Sequence, residues 1–278
     1  MTKSLIKLTA SIVLFNSDLK GLKDLLHDLT NSYPEVFVYV LDNSETNLSE
    51  AFRGIDNLEY IFNNTNLGYG KAHNIGIDKA YKKGSKFHMV INPDIRIDEE
   101  TIRRLISFMD NNHDVGLCAP KVLYPSGELQ HLCKLIPSPK NLFIRRFLPI
   151  KKIVENNDNR YELRYFDYNH EIEIPYASGC FMFIRTDLIN SIGGFDERFF
   201  LYFEDLDLTR RIRRLAKVVF YPKAVVYHGY NKESYRNNKV LFYHIVSALK
   251  YFNKWGWFFD SERMKLNKET VLQLNYKK

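Results

Sequence analysis

The sequence predicts an α/β fold: a mixed, mostly parallel sheet flanked by helices, with a helical extension at the C-terminal end. Three observations predict it. Short runs rich in Val and Ile alternate with segments of helical periodicity over residues 8–119, the pattern of βα repeats that close a sheet between helix layers. Two of those runs pass directly into polar residues, Asp42-Asn43-Ser44 and Asn92-Pro93-Asp94, and in such sheets ligands bind beyond the carboxyl ends of the strands. Helical periodicity then returns near Val240. With 278 residues and 45% hydrophobic composition, the chain can bury a full core as one large or two closely joined domains.

Taken in order, residues 12–15 are a predicted strand and 19–29 an amphipathic helix. A second strand is expected at 36–41, a short third at 58–62, a helix at 72–81 and a fourth strand at 87–91. Ile102, Leu105, Ile106 and Met109 share one helical face, and 115–119 is a further strand. Beyond Pro120 the character changes. Residues 121–133 read as a hairpin turning at Pro125-Ser126-Gly127, and 137–169 as a long basic, aromatic loop without periodicity. Order returns at Ile172. Leu241, Ile245, Ala248, Leu249 and Phe252 then form an apolar stripe ending at Trp255-Gly256-Trp257-Phe258-Phe259.

The net charge of +7 favours anionic partners such as nucleotides or phospholipid surfaces. Most of the excess is local, at Lys140, Arg145, Arg146, Lys151 and Lys152 and again from Arg210 to Lys217. These basic residues sit among apolar ones without a nucleic-acid recognition motif, so nucleic acid is not expected as a partner. Cys118, Cys133 and Cys180 lack metal-type spacing and read as reduced structural residues of a cytoplasmic protein. No apolar run approaches the roughly 18 to 20 residues of a membrane span. Residues 8–15, after Lys3 and Lys7, imitate a short signal peptide but lack a small-residue cleavage site. A buried first strand accounts for them better.

Chemistry concentrates at residues 199–211, where an aromatic run leads into Glu204, Asp205 and Asp207 and then into an arginine-rich helix. Aromatic residues favour burial and ionised carboxylates resist it, so the chain drives acids toward a pocket floor, as a general base requires. Leu208, Ile212 and Leu215 place a helix start near Asp205, so Glu204 or Asp205 could equally serve as a helix cap. The loop from Asn63 to Gly76 adds Asn66, Gly68, Lys71 and Asn74. Its glycines permit close backbone approach and its helix start offers N–H groups to an anion.

The ordered set of a strand ending in Asp42-Asn43-Ser44, the Asn66-Leu67-Gly68-Tyr69-Gly70 loop, Asn92-Pro93-Asp94, Ser178-Gly179-Cys180, Glu204-Asp205 and Tyr227-His228-Gly229 resembles the family 2 inverting glycosyltransferases of GT-A fold. Within that family it looks like the rhamnosyltransferase-like enzymes of bacterial surface polysaccharide synthesis. The resemblance covers about residues 8–230. It implies a nucleotide-sugar-binding half (1–95), an acceptor-binding and catalytic half (96–230) and a helical extension (231–278).

It further implies that Asp42, Asn43, Asn66, Gly68, Lys71, Asn74 and Asn92 bind the nucleotide sugar. Asp94 and His228 would hold Mg²⁺ or Mn²⁺, with Asn92 in place of the first acid of a DXD motif. Asp205 would be the base with Glu204 beside it, and Ser178, Gly179, Tyr202 and Phe203 would line the sugar pocket. The implied donor is dTDP-rhamnose or a UDP-sugar. The implied acceptor is a saccharide or a polyprenyl-diphosphate-linked sugar, reached from the inner face of the bacterial cell membrane. The aromatic cluster after Trp255 would touch that membrane, or alternatively pack in the core or against a second copy. Two other readings stay open. A sugar nucleotidyltransferase would carry a Gly-rich basic loop after its first strand, where this chain has Asn16-Ser17-Asp18. A non-catalytic nucleotide- or carbohydrate-binding module would not hydrolyse a donor.

Overall fold

The computed structural model describes residues 7–229 and 238–275, apart from the side chains of Arg146, Phe147 and Asn275. β1 (Leu8–Leu14) is buried along its length, because its alternate side chains meet helix layers on both faces. α1 (Leu19–Ser32) begins where Asp18 accepts from the Lys20 and Gly21 N–H groups, and it buries Leu22, Leu25, Leu26 and Leu29 at helical spacing. β2 (Phe37–Asp42), β3 (Leu58–Phe62) and β4 (Phe87–Ile91) add in parallel around β1 in the order β3-β2-β1-β4, with α2 (Tyr69–Lys82) crossing between β3 and β4. The predicted buried first strand is thus central to the sheet.

β5 (Ile95–Ile97), β6 (Val115–Leu123), β7 (Ile172–Glu173), β8 (Phe181–Arg185) and β9 (Lys217–His228) complete a nine-stranded sheet among the described residues. β8 runs antiparallel between β4 and β6, β6 pairs in parallel with β9, and β5 and β7 are antiparallel to β9. The sheet is therefore mixed, and its longest pairing, β6 with β9, is parallel. One sheet runs through both implied halves, whose division at residue 95 falls on β5. The Ile95–His228 pairing brings the end of β9 beside the turn after β4. α3 (Thr101–Asn111) buries the predicted face of Ile102, Leu105, Ile106 and Met109.

Two expectations fail between residues 121 and 169. The turn at Pro125-Ser126-Gly127 forms, closed by Tyr124 and Glu128, but a single bridge between Leu123 and Leu129 replaces a hairpin. The return arm leaves the ladder because Gln130 turns its amide toward His228. The supposed loop contains α4 (Pro139–Phe147) and α5 (Lys151–Tyr161). Ser138 caps α4 in a reciprocal box with Asn141, and Pro139 stands in its first turn. These helices carry little apolar periodicity because ion pairs join them: Arg145 reaches Asp158 at 3.3 Å and Glu162 at 2.7 Å.

α6 (Thr186–Ser191) follows β8, and α7 (Glu204–Arg213) precedes β9. α8 (Asn238–Trp255) and α9 (Ser261–Asn275) form the helical extension, whose implied start at 231 lies outside the described residues. They pack on α7 around Phe199, Phe203, Leu206, Tyr251, Phe252 and Leu266. No helix among the described residues is long and apolar enough to cross a membrane.

Candidate active site

Asp94 and His228 meet where the turn after β4 faces the end of β9, with His228 Nε2 at 3.4 Å from Asp94 Oδ1. Asn92 joins them, its amide 3.5 Å from the same imidazole nitrogen. Gln130 fixes the ring. Its amide nitrogen donates to the His228 carbonyl at 2.8 Å and points toward the Leu123 carbonyl, so its oxygen, 3.1 Å from Nδ1, accepts a proton there. That tautomer leaves Nε2 as a lone pair directed at Asp94 and Asn92. One part-exposed carboxylate and one oriented imidazole fit Mg²⁺ or, better, Mn²⁺. Among the described residues no three His, Cys, Asp or Glu side chains are arranged to hold a metal alone. An ion there needs further oxygen ligands, which a diphosphate can provide.

The base candidate lies across two consecutive peptides from this corner. Cys180 accepts on its carbonyl from the Asn92 N–H at 2.9 Å. The Gly179 N–H donates to Asp205 Oδ2 at 3.0 Å, and the Gly179 carbonyl accepts from the Tyr69 hydroxyl at 2.5 Å. A Cβ on Gly179 would lie 3.3 Å from Asp205 Cβ, so the missing side chain is what permits this approach. Ser178 accepts from the Cys180 N–H beneath the bridge. Asp205 also accepts from Tyr176 at 3.1 Å and from the Leu206 N–H at 2.8 Å. Burial raises its carboxyl above the ordinary carboxylate value, while those three hydrogen bonds and the Lys134 charge oppose the rise.

Glu204 differs from its neighbour. It is buried, its Oε2 has no hydrogen-bond partner, and burial together with the Asp205 charge pushes its carboxyl well above the usual range. Glu204 thus holds a proton more readily than Asp205. Neither caps α7: the N-cap residue is Phe203, which makes no side-chain cap.

The remaining implied residues have protein partners of their own. Asp42 is fully enclosed and accepts from the Ser44 N–H and from Tyr60, whose hydroxyl is pushed up to about 12, first by burial and then by Asp42. It holds the turn from beneath. Asn43 donates to the Gly68 carbonyl and accepts from Asn63, and Asn66 accepts from the Gly68 N–H, so this set locks one loop to the next.

Gly68 (φ +83°) is small because Phe200 O would lie 2.4 Å from its Cβ, and the Tyr69 N–H that an anion would need donates to Phe200. Lys71 pairs with Glu197 at 3.3 Å, while Asn74 clamps the backbone of Phe195. Phe203 is buried against Tyr251 and Phe252 rather than lining a pocket, and Tyr202 lies edge-on to His244. The aromatic residue beside the base is instead Tyr176. Tyr176, Tyr69 and Gln130 escaped the sequence reading as site residues because they lie 29 to 110 residues from their partners in the chain.

A family model described as "Glycosyl transferase family 2" matches residues 9–193, from β1 past the Gly179–Cys180 bridge. The chain belongs to glycosyl transferase family 2. Similar proteins include the low-salt glycan biosynthesis hexosyltransferase Agl10 of Haloferax volcanii, 27% identical over 67% of this chain and 58% of that protein. Another relative is the N-acetylglucosaminyl-diphospho-decaprenol L-rhamnosyltransferase of Mycobacterium tuberculosis, 26% identical over 69% of this chain and 66% of that protein. The chain thus spans 58% to 66% of these relatives' lengths.

Among solved structures, TarS of S. aureus superimposes with a TM-score of 0.58 at 18% identity, over 95% of this chain and 70% of that one. The mannosyltransferase PcManGT from Pyrobaculum calidifontis, in complex with GDP-Man and Mn²⁺, gives 0.56 at 13% identity over 88% and 64%. The GT-A fold is thereby shown. The fold includes members with a divalent metal.

Proposed function

We propose that this chain is an inverting, metal-dependent glycosyltransferase that moves a sugar from a nucleoside diphosphate to a lipid-linked saccharide. L-Rhamnose from dTDP-rhamnose is the first donor to test, with UDP-sugars second. The observation that carries the reading is the Gly179–Cys180 bridge, which holds the Asp94–His228 corner on one side and the Asp205 carboxylate on the other. A rhamnosyltransferase and a hexosyltransferase among the relatives support the sugar, and the diphospho-decaprenol acceptor named for one of them supports a lipid carrier.

In this mechanism Asp94 and His228 would hold the cation, and Gln130 would keep the imidazole in its ligating tautomer. The cation, when bound, stabilises charge on the departing nucleoside diphosphate. Asp205 accepts the proton of the attacking hydroxyl, and its three hydrogen bonds hold the carboxylate in one orientation while they favour its ionised form. Attack opposite the leaving group inverts the anomeric centre, and one carboxylate is enough. Glu204, neutral and turned inward, adds no second charge beside it.

We further propose that the protein works peripherally on the cytoplasmic face of a membrane. Trp255 packs against the core beside Arg210 and Asp207, but Phe258 and Phe259 are 75% and 95% exposed, so the end of the aromatic cluster is open to a membrane surface. Exposed Phe143, Ile150 and Ile153 adjoin exposed Lys140, Lys151 and Lys152 on α4 and α5, a mixture suited to an anionic leaflet. Arg145 is excluded from that surface by its pairing with Glu162.

The test is a screen of purified protein against dTDP- and UDP-sugars with Mg²⁺ or Mn²⁺, following nucleotide release and anomeric configuration. Release that stops with EDTA and gives an inverted product supports the reading. Undiminished release in excess EDTA sinks the metal assignment, and no release with any donor sinks the enzyme.

A further inference from the structure

Lys134 makes no ion pair among the described residues, and its charge lies close enough to the base to act on it. It lies in a short extended segment tied at each residue that follows or precedes it. The Cys133 N–H donates to the Tyr168 hydroxyl, the Leu135 N–H to the Tyr161 carbonyl, and Ile136 exchanges two hydrogen bonds with Asn267 of α9. The side chain is half-buried, and Nζ stands 6.0 Å from the centroid of the Tyr176 ring, whose hydroxyl donates to Asp205.

The neighbouring charges neutralise one another and leave Lys134 out. Glu162 gives one oxygen to Arg145 at 2.7 Å and the other to Arg164 at 2.6 Å, and Arg145 also reaches Asp158. Among the described residues no carboxylate lies within 4 Å of Lys134 Nζ, although Glu162 and Asp205 are close enough to act on it through space. Burial disfavours its charged form, and an arriving anion would offset that by giving the ammonium an opposite charge and hydrogen bonds. α4 begins at Pro139, directly beyond this segment, and carries the exposed apolar and basic residues of the α4–α5 pair.

We propose that Lys134 is the docking cation for an anionic group of the acceptor, a phosphate that sits one sugar residue from the hydroxyl presented to Asp205. This rests on the glycosyltransferase reading, and it names what the acceptor must carry. A diphosphate at Lys134 places the sugar beneath Tyr176, against the base, and sends a lipid chain toward α4 and α5. A neutral acceptor leaves the ammonium unpaired and is disfavoured by the same charge. Two sources share this chemistry, the diphosphate of a lipid carrier and the carboxylate of an acidic sugar.

The test is direct binding of geranyl diphosphate in EDTA, which keeps the probe off the Asp94–His228 corner by removing its cation. Geraniol is the uncharged control and octyl glucuronide the acidic-sugar probe, each titrated calorimetrically. The expected result is binding of geranyl diphosphate that falls at least about ten-fold in Lys134→Gln and largely returns in Lys134→Arg. Thermal melting of each variant shows that the fold is retained.

Equal affinity of wild type and Lys134→Gln for geranyl diphosphate, or no binding by wild type, overturns the proposal. Tighter Lys134-dependent binding of octyl glucuronide than of geranyl diphosphate transfers the site to an acidic sugar and overturns the lipid diphosphate. UDP binding in the presence of Mn²⁺, measured separately, reports on the donor reading. Its absence with Lys134-dependent diphosphate binding intact would overturn that reading alone.

Discussion

Asp205 and Glu204 are consecutive carboxylates that their surroundings drive apart. Asp205 receives three hydrogen bonds that favour its anion, whereas Glu204 is enclosed with an unpartnered oxygen. Asp205→Asn should lower turnover by about 10²- to 10⁴-fold, the usual cost of losing a general base. Glu204→Gln should keep turnover within about ten-fold, because a neutral carboxyl and an amide present similar polarity. Single-turnover assays on both variants check the pair, and the reverse ranking would assign the base to Glu204.

The direction of the Asp205 shift also fixes a pH profile. The base must be ionised and burial raises its carboxyl, so activity should fall with decreasing pH through a value above the ordinary carboxylate range. Tyr176→Phe removes a bond made to the anion and should move that acid limb upward. An unmoved limb would show that another group titrates.

At the scale of elements, α7 joins the catalytic turn to the C-terminal helices. Its Arg210 is fully buried, binds Asp260 through both terminal nitrogens at 2.7 and 2.9 Å, reaches Glu262 at 2.7 Å, and lies 4.1 Å from the Trp255 ring centroid. Asp207, one turn earlier, takes Arg211, Lys254 and the Trp255 N–H. These contacts sit next to Tyr202 and Phe203, both at positive φ, a conformation that costs such residues of order 1 kcal/mol or more each. Packing of Phe203 on Tyr251 and a hydrogen bond from Ser247 to the Leu201 carbonyl hold the turn in place.

Arg210→Met leaves buried Asp260 without its arginine and Glu262 with only Arg214, and should destabilise the protein by about 3 to 5 kcal/mol. Urea denaturation measures this. A change below 1 kcal/mol, on the order of an exposed pair, would show that the cluster does not brace α7. α4 and α5 are the elements least visible in the sequence. Ion pairs and one capping box hold them, not an apolar stripe, so residue periodicity does not reveal them.

For the whole molecule, a buried polar chain crosses the sheet under α2. His73 meets Ser11 at 2.7 Å, Ser11 meets His88 at 2.8 Å, and His88 meets Thr9 at 2.8 Å. Burial lowers His88 to about 3, and it lowers His73 well below the usual histidine value. A base whose affinity for protons is depressed by folding binds protons more readily when unfolded. Stability is therefore full above the unfolded histidine value and declines as pH falls toward the folded one, by up to about 1.4 kcal/mol per pH unit for each ring. Urea midpoints across that range should fall accordingly, and His88→Gln should flatten the slope. A pH-independent midpoint would contradict the buried neutral pair.

Membrane docking is also a property of the whole surface. Liposome flotation on anionic vesicles should weaken with salt and with Lys140, Lys151 and Lys152 replaced by glutamine, and Phe258→Ser with Phe259→Ser should weaken it without a salt response. Failure of the unaltered protein to float at low salt would remove the membrane from the reading.

The sequence by itself determined the βα alternation, the strand-end position of Asn92-Pro93-Asp94 and the helix start at Glu204-Asp205. Those features depend on local periodicity and chain direction, which neighbouring residues encode. Tertiary structure decided which polar groups remain available. Asn43, Asn66, Lys71 and Asn74 look like ligand contacts in a loop, yet the fold gives each a protein partner. The basic run from Arg210 to Lys217 reads as excess charge, but its cations pair with Asp260, Asp207, Glu173, Glu262 and Asp114. Asp260 lies 50 residues from Arg210 in the chain. Charge and protonation depend on solvation and on partners brought from distant segments, so only the folded chain separates an unpartnered Glu204 from a hydrogen-bonded Asp205 and leaves Lys134 without an ion pair among the described residues.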